Sequence, residues 1–346
     1  MSIEKLYTLF EPGDIAGIPD VWKDDLDAVN ATFPGTEKSA FLQHDFIISA
    51  NDTLLLPQEA VEALLRAADM IRRDESLARL AWLWREIFLN KAEGTPHPTQ
   101  WPLPAKAMGA DAALFPAIVL ISMLPEALQF HRQRQVPEDV SIATFRDFYI
   151  WMLDYYNKHG RWGLAEVTWL LLHLRGSLYR LGRLQFCRGA FAGEIAEGTM
   201  PGLTSVPQPG DPVLEVHIPA DGKLDHEQCR ESYVTALDFF PACFPEILFD
   251  AFTCHSWLLD PDLSKILPET SNIVKFQSDF HIYSVTDDDR QMFERVFGKK
   301  PDCLDDAPRD NSLRRAILDH LQAGNRMHMG AGFILRGEVQ KLKAMR

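Results

Sequence analysis

Cysteine is scarce in this sequence and follows no regular spacing. The chain has 346 residues but only five cysteines, an odd number, and no two of them form a C-x-x-C pair. Small secreted domains depend on paired cysteines, and structural zinc sites depend on closely spaced thiolates. The pattern argues against both classes and predicts free thiols in a cytoplasmic protein.

An excess of positive charge is also missing. The formal net charge is −14 at pH 7, and hydrophobic residues make up 46% of the chain. Nucleic-acid binding requires a basic surface that displaces counterions, and anionic membranes attract basic segments. The composition is therefore typical of a folded protein whose partners include neither nucleic acid nor a membrane.

Long apolar runs and metal motifs are absent as well. The longest apolar stretch, Ala112 to Leu124, contains Pro116 and is too short to span a bilayer, so we interpret it as a buried helix. The N-terminus shows no basic region followed by an apolar run, which a signal peptide would require. The eleven histidines form no H-x-x-x-H or H-E-x-x-H pair, and we expect no metal.

What is present is a change of pattern along the chain. Residues 1–160 carry apolar side chains at helical spacing, which predicts a mostly helical N-terminal domain. Its helices are expected at residues 58–73, 77–87, 111–134 and 141–158. Residues 161–346 combine an apolar helix at 167–174 with short β-like runs separated by turns. The predicted fold class is α+β, a helical domain followed by a mixed sheet domain with flanking helices.

A strand–turn–helix unit stands at the centre of the second domain. Val213–Ile218 is β-like, Pro219–Gly222 is the turn, and a helix is expected from about Asp225 to Cys243. Further strands are expected at 251–259, 272–283 and 332–335, with helices near 288–297 and 312–323. This order predicts a sheet built on a strand–helix–strand core.

Two of these strands carry candidate chemical groups. Alternation places Glu215 and His217 on one face of the strand Val213–Ile218. A carboxylate beside an imidazole suits a general base and the group that orients it, although a solvated polar strand face would show the same pattern. On the next strand His255 is the candidate, with a hydrogen-bonded core histidine as the alternative. Cys254 points away from His255, which leaves a cysteine hydrolase as a remote alternative.

Two segments could bind an anion. The turn Pro219–Gly222 leads into a helix N-terminus, where N–H groups attract phosphate, but its single glycine matches neither a dinucleotide fingerprint nor a P-loop. Arg309 and Arg314 flank the start of a late helix, where a ligand phosphate or Asp310 would balance their charge. The internal salt bridge with Asp310 is the favoured interpretation.

Several short segments of the second domain, taken in order, resemble one family. They are Leu178–Phe186, Val216–Pro219, Cys254–Pro261, Ser271–Phe276 and Ser312–Ala316. Together they resemble the GNAT-like C-terminal domain of bacterial two-domain acyltransferases, which carry a helical N-acyltransferase domain before it. The resemblance covers nearly all of the C-terminal half, whereas the N-terminal match depends on the layout of the helices.

The resemblance implies a twisted mixed sheet in which two parallel central strands splay apart. The pantetheine of an acyl-CoA would enter this splay, and its pyrophosphate would rest on the turn after the first strand. The implied CoA-binding residues are Ile218, Pro219, Ala220, Asp221, Gly222, Ser256, Arg309 and Arg314. The sequence lacks the Q/R-x-x-G-x-G/A loop that is usual in GNAT enzymes.

The activity that the resemblance implies is acyl transfer from an acyl-CoA-type thioester to a small acceptor, most often an amine. Glu215 or His217 would act as the base, and His255 would line the same cleft. The alternative is a GNAT-like ligand-binding or regulatory protein without catalysis, which the missing glycine pattern favours. The helical half would serve as a lid, as the surface of a homodimer or as a wall of the acceptor pocket.

Overall fold

A computed structural model describes residues 2–15, 27, 30–90, 101–195, 200, 202–203 and 205–345. The chain forms two compact units, Met1–Tyr179 and Arg180–Arg346. The sequence predicted a domain boundary between residues 160 and 161, whereas the two units divide between Tyr179 and Arg180. The helix Val167–Leu174 contacts the helix Phe115–Ile121 and so lies in the N-terminal unit.

In its described part, the N-terminal unit up to Leu174 is built from helices and the loops that join them. Its α-helices are Ile3–Tyr7, His44–Leu54, Gln58–Arg73, Glu75–Asn90, Ala105–Met108, Phe115–Ile121, Leu124–Gln133, Glu138–Phe145, Asp147–His159 and Val167–Leu174. The helices predicted from apolar spacing are confirmed, because alanines and aliphatic side chains at that spacing are buried in one core. The stretch predicted at 111–134 is divided into the end of a 3₁₀ helix and the α-helices Phe115–Ile121 and Leu124–Gln133. The stretch predicted at 141–158 is divided into two helices around Arg146.

The most apolar part of this unit is the helical stretch Ala105–Gln133. It is long and apolar enough to cross a membrane, but 78% of its most apolar 18-residue segment is buried inside the protein. Every residue from Ala112 to Leu124 is buried. The prediction of a core helix is therefore confirmed, since a buried helix needs apolar side chains all round.

The C-terminal unit is built on a six-stranded mixed sheet with the order β1-β2-β3-β4-β6-β5. The strands are β1 Leu178–Leu181, β2 Leu184–Ala190, β3 Pro212–His217, β4 Ala251–Ser256, β5 His281–Thr286 and β6 Met329–Leu335. The helices are His226–Cys243, Leu263–Ile266, Asn272–Ser278, Arg290–Phe297, Ser312–Gln322 and Arg336–Ala344. The predicted α+β class with a mixed sheet is confirmed: β3 and β4 are parallel, whereas β2–β3 and β4–β6 are antiparallel.

One predicted strand is wrong. The stretch 272–283 was expected to be extended, but residues Asn272–Ser278 form a helix, and β5 begins only at His281. The hydroxyl of Ser271 accepts a hydrogen bond from the backbone N–H of Ile273, which caps the helix start. Phe276 is fully buried on the inner side of this helix. Capping and burial therefore override the β propensity of the local sequence.

The helix His226–Cys243 covers one face of the sheet. Asp225 caps it as predicted, because its carboxylate accepts a hydrogen bond from the N–H of Gln228 at 3.0 Å. Tyr233 on this helix lies against Phe186 and Phe252, with ring centroids 6.2 and 5.7 Å away. Phe186 of β2 pairs with Val216 and Phe252 of β4 pairs with Leu214, so this face of β3 is core and polar side chains at the alternate positions face the other way.

Gly330 on β6 lies against the backbone of the turn that follows β4. A Cβ atom at this position would come within 2.2 Å of the carbonyl oxygen of Leu259. We expect Gly330→Ala to lower the free energy of unfolding by about 3 kcal/mol, because backbone atoms must move to relieve the overlap. At Gly337 a Cβ atom would meet nothing within 4 Å, so Gly337→Ala should cost nothing. Urea unfolding of both variants checks this, and equal midpoints would contradict it.

Candidate active site

The central feature of the sheet is the short parallel ladder between β3 and β4. It pairs Val213 with Ala251, Leu214 with Phe252 and Glu215 with Thr253. Beyond this point β3 continues to His217 paired with β2, and β4 continues to Ser256 paired with β6. The carboxyl ends of the two strands therefore part from each other. The splay that the family resemblance implied is present in the structure.

Glu215 and His217 lie on the face of β3 opposite the helix His226–Cys243, on one wall of this splay. His217 Nε2 is 3.8 Å from Glu215 Oε2, and the two side chains are 32% and 45% exposed. Burial of the carboxyl group raises the pKa of Glu215 above its ordinary value of 4.5. A carboxylate with a raised pKa accepts a proton more readily near neutral pH, which suits a general base.

Glycine on the neighbouring strand makes room for the Glu215 carboxyl group. A Cβ atom at Gly189 would lie 2.6 Å from Glu215 Oε1. On the other side, Thr253 pairs with Glu215, and His255 follows two positions later on the same face of β4. The side chain of His255 is exposed. The structure thus places the three candidate catalytic residues, Glu215, His217 and His255, on one face of two adjacent strands.

Ser256, one of the expected CoA-binding residues, lies on the opposite face from His255. It is buried, and its hydroxyl accepts a hydrogen bond from the N–H of Leu258 at 3.2 Å. This bond starts the 3₁₀ turn Trp257–Leu259, which ends β4 earlier than the predicted residue 259. The hydroxyl of Ser256 therefore shapes the end of the strand.

The turn after β3 has the position expected of a pyrophosphate loop. Ile218 and Pro219 are at least half-buried, whereas Ala220, Asp221 and Gly222 are exposed before the N-terminus of the helix His226–Cys243. The first turn of that helix offers backbone N–H groups and the positive end of its dipole. Ala220, Asp221 and Gly222 thus form an exposed edge beside the splay, with Ile218 and Pro219 packed beneath it.

The arginines of the late helix are occupied by nearby groups. The guanidinium of Arg314 donates to both carboxylate oxygens of Asp310 at 2.9 Å, so the internal salt bridge favoured from the sequence is confirmed. Arg309 donates to Asp319 and to the amide oxygen of Gln322. A role of Arg309 and Arg314 in binding CoA stays a prediction.

A cluster of possible metal ligands lies after β4. One ligand atom each from Asp260, Asp262 and His328 fits within 4.8 Å. Protein donors already use this cluster: the carboxylate of Asp260 accepts from the N–H groups of Asp262 and His328, and Lys265 donates to Asp262 at 2.6 Å. These bonds fit a structural role for the cluster. That the protein needs no metal stays a prediction.

Sequence reasoning missed two arginines that contact the turn after β3. Arg180 forms two hydrogen bonds with the carboxylate of Asp221, at 2.7 and 3.1 Å. Arg183 donates to the carbonyl oxygens of Gly222 and Lys223 at 2.8 and 2.7 Å. Both stand in a segment that carries the family resemblance. Their partners are about 40 residues away in the sequence, so no local pattern shows the contact.

Comparison with known domain families identifies both units. The family model of the N-acyltransferase N-terminal domain matches residues 45–176, and that of the GNAT-like C-terminal domain matches residues 178–334. Among curated proteins, no sequence matches this chain.

Solved structures of acyltransferases resemble the chain over nearly its whole length. One, an acyltransferase in complex with decanoyl-CoA, is 28% identical with a TM-score of 0.76 and covers 96% of this chain and 99% of its own. Another, with decanoyl-CoA and teicoplanin, is 28% identical with a TM-score of 0.75 and covers 97% and 99%. With both domain families matched in order, the chain belongs to the two-domain acyltransferases that join an N-acyltransferase N-terminal domain to a GNAT-like C-terminal domain.

Proposed function

We propose that this protein transfers an acyl group from an acyl-CoA thioester to an amine of a small-molecule acceptor, with the donor in the splay between β3 and β4. The observation that carries the proposal is the pair Glu215 and His217 on the wall of that splay, with His217 Nε2 3.8 Å from Glu215 Oε2 and both side chains partly exposed. A binding module would need the cleft but not two proton-transferring groups at its edge.

The geometry suits direct attack of an amine on the thioester. The amine nitrogen forms a bond to the carbonyl carbon while Glu215 or His217, directly or through a water, accepts its proton. The charge that develops on the carbonyl oxygen requires an N–H donor, which the backbone of β4 beyond Thr253 would supply. The carbon–sulfur bond then breaks, and the CoA thiolate leaves and takes up a proton.

The class of acceptor rests on similarity and on charge. A similar acyltransferase was solved with decanoyl-CoA and teicoplanin, a glycopeptide. This chain carries a net charge of −14, which favours the approach of a cationic amine. We therefore propose an amine-bearing small molecule as the acceptor and a medium-chain acyl-CoA as the first donor to test.

Binding and turnover can be measured separately. We expect decanoyl-CoA to stabilise the protein against thermal unfolding by an amount that grows with the logarithm of its concentration and reaches about 2.7 kcal/mol at a hundred times its Kd. We also expect thiol release from decanoyl-CoA in the presence of a primary-amine panel that includes teicoplanin. Stabilisation without thiol release for any amine would favour the non-catalytic ligand-binding alternative. Absence of stabilisation by any acyl-CoA would contradict the proposal altogether.

A further inference from the structure

Arg183 is an unusually buried charged residue for a hairpin turn. It lies between β1 and β2, is only 7% exposed, and donates from Nε to the carbonyl of Lys223 and from Nη2 to that of Gly222. Burial lowers the pKa of its guanidinium group, which reflects the cost of holding a charge there. The buried guanidinium group therefore donates hydrogen bonds to two consecutive carbonyl groups, at the end of the turn after β3.

The two bonds fix the direction of two peptide groups. In a trans peptide the carbonyl of one residue and the N–H of the next point in opposite directions, and the described residues contain no cis peptide bond. The N–H groups of Lys223 and Leu224 therefore point away from the Arg183 guanidinium. Within the described part of the chain, neither of these N–H groups donates to an acceptor.

The surroundings of these N–H groups favour an anion. They come just before the helix His226–Cys243, which has 18 residues and a positive dipole end at this point. Oriented N–H groups at a helix start bind phosphate oxygens well. Two acidic side chains lie next to these N–H groups. The bidentate pair with Arg180 neutralises Asp221, and the carboxylate of Asp225 accepts a hydrogen bond from the N–H of Gln228 in the first turn of the helix.

We propose that Arg183 is a positioning residue for the donor: it holds the peptide groups 222–224 so that their N–H groups face the pyrophosphate of CoA. The inference rests on the proposed function, since it assumes an acyl-CoA in the splay beside this turn. Lysine cannot replace Arg183 in this role, because a single ammonium group lacks the planar fork that reaches two carbonyl groups at once.

Arg183→Lys tests this role by isothermal titration with two ligands. Decanoyl-CoA carries the phosphates, and S-decanoyl-pantetheine has the same acyl chain and thioester without them. We expect about tenfold weaker binding of decanoyl-CoA and unchanged binding of S-decanoyl-pantetheine, because only the phosphates use the oriented N–H groups. Arg336→Lys is the matched control, since Arg336 also donates to a backbone carbonyl, that of Phe249 at the other end of β4. It should change neither affinity.

The outcomes separate this inference from the proposed function. Failure of the unchanged protein to bind either ligand would refute the proposed function. Binding of decanoyl-CoA by that protein with no selective loss in Arg183→Lys would overturn the inference alone. A loss of both ligands in equal measure would also overturn it, because Arg183 would then merely support the fold.

A second pair of variants covers the case that Arg183→Lys does not fold. Arg180→Gln leaves the carboxylate of Asp221 unpaired beside the phosphates, so we expect severalfold weaker binding of decanoyl-CoA. Adding Asp221→Asn removes that charge and should restore the affinity. Failure of the double variant to recover would overturn the assignment of the phosphates to this turn.

Discussion

Replacement of Glu215 by glutamine is expected to lower the rate of acyl transfer by about 10²–10⁴-fold, the usual contribution of a general base. The amide keeps the size of the side chain and its place beside Gly189, but it cannot accept a proton from the amine. Burial raises the pKa of the Glu215 carboxyl group, so the group is tuned for proton transfer. Thiol release from decanoyl-CoA, with whichever amine the unchanged protein accepts, measures the loss.

The pH dependence gives a second sign of the same role. Because only the ionised carboxylate is a base, the rate should fall as the pH falls through the pKa of Glu215. That pKa is raised above 4.5, so the acidic limb of the profile should lie above 4.5. Glu215→Gln should remove this limb, and His217→Asn tests whether the imidazole contributes a limb of its own.

A matched control uses a glutamate of the same unit. Glu294 is exposed on the helix Arg290–Phe297, and Glu294→Gln should leave turnover and the pH profile unchanged. If Glu215→Gln and Glu294→Gln both retain the full turnover of the unchanged protein, Glu215 is not the base. A loss confined to His217→Asn would instead transfer the role to the imidazole.

Replacement of Asp147 by alanine is expected to lower the free energy of unfolding by about 3–5 kcal/mol, because each polar group left without its partner inside the protein costs about 1–3 kcal/mol. Asp147 is 3% exposed in the helical unit and accepts hydrogen bonds from Nε1 of Trp169 at 2.6 Å and of Trp151 at 3.1 Å. Its carboxylate also lies 3.1 Å from Nε2 of His173, which is fully buried. Removal of the carboxylate takes this partner from two partly buried indole N–H groups and from the fully buried His173.

Denaturant unfolding of two variants on the same helix isolates the effect. Asp154 is 35% exposed and pairs with Lys158, so Asp154→Ala should cost about 0.5 kcal/mol or less. Asp147→Asn keeps one acceptor oxygen and should lie between the two alanine variants. Equal midpoints for Asp147→Ala and Asp154→Ala would show that the buried network adds nothing to stability.

Much of the fold was predictable because its information is local. The alternation in β3 placed Glu215 and His217 on one face, and Asp225 with Gln228 three residues later marked the start of the long helix. The segment after Ser271 was not predictable in this way, since β-branched residues favour a strand there while a cap and the burial of Phe276 decide for a helix.

The candidate site was predictable only in part, for a related reason. Its catalytic candidates follow from the period of two within single strands. Arg180 and Arg183 act on the turn after β3 through contacts between residues 39 to 41 positions apart, which nothing within either segment indicates. The buried carboxylate of Asp147 likewise depends on Trp169, 22 residues later on another helix.

The short ladder between β3 and β4 also describes how the sheet is assembled. β1, β2 and β3 come from one continuous stretch of chain, 178–217, and β4, β5 and β6 come from another, 251–335. Across the sheet these two stretches pair through three residue pairs. The proposed donor therefore lies on a seam between two parts of the chain. Binding of the donor would therefore stabilise the contact between these two parts of the chain, in addition to placing the thioester near the amine.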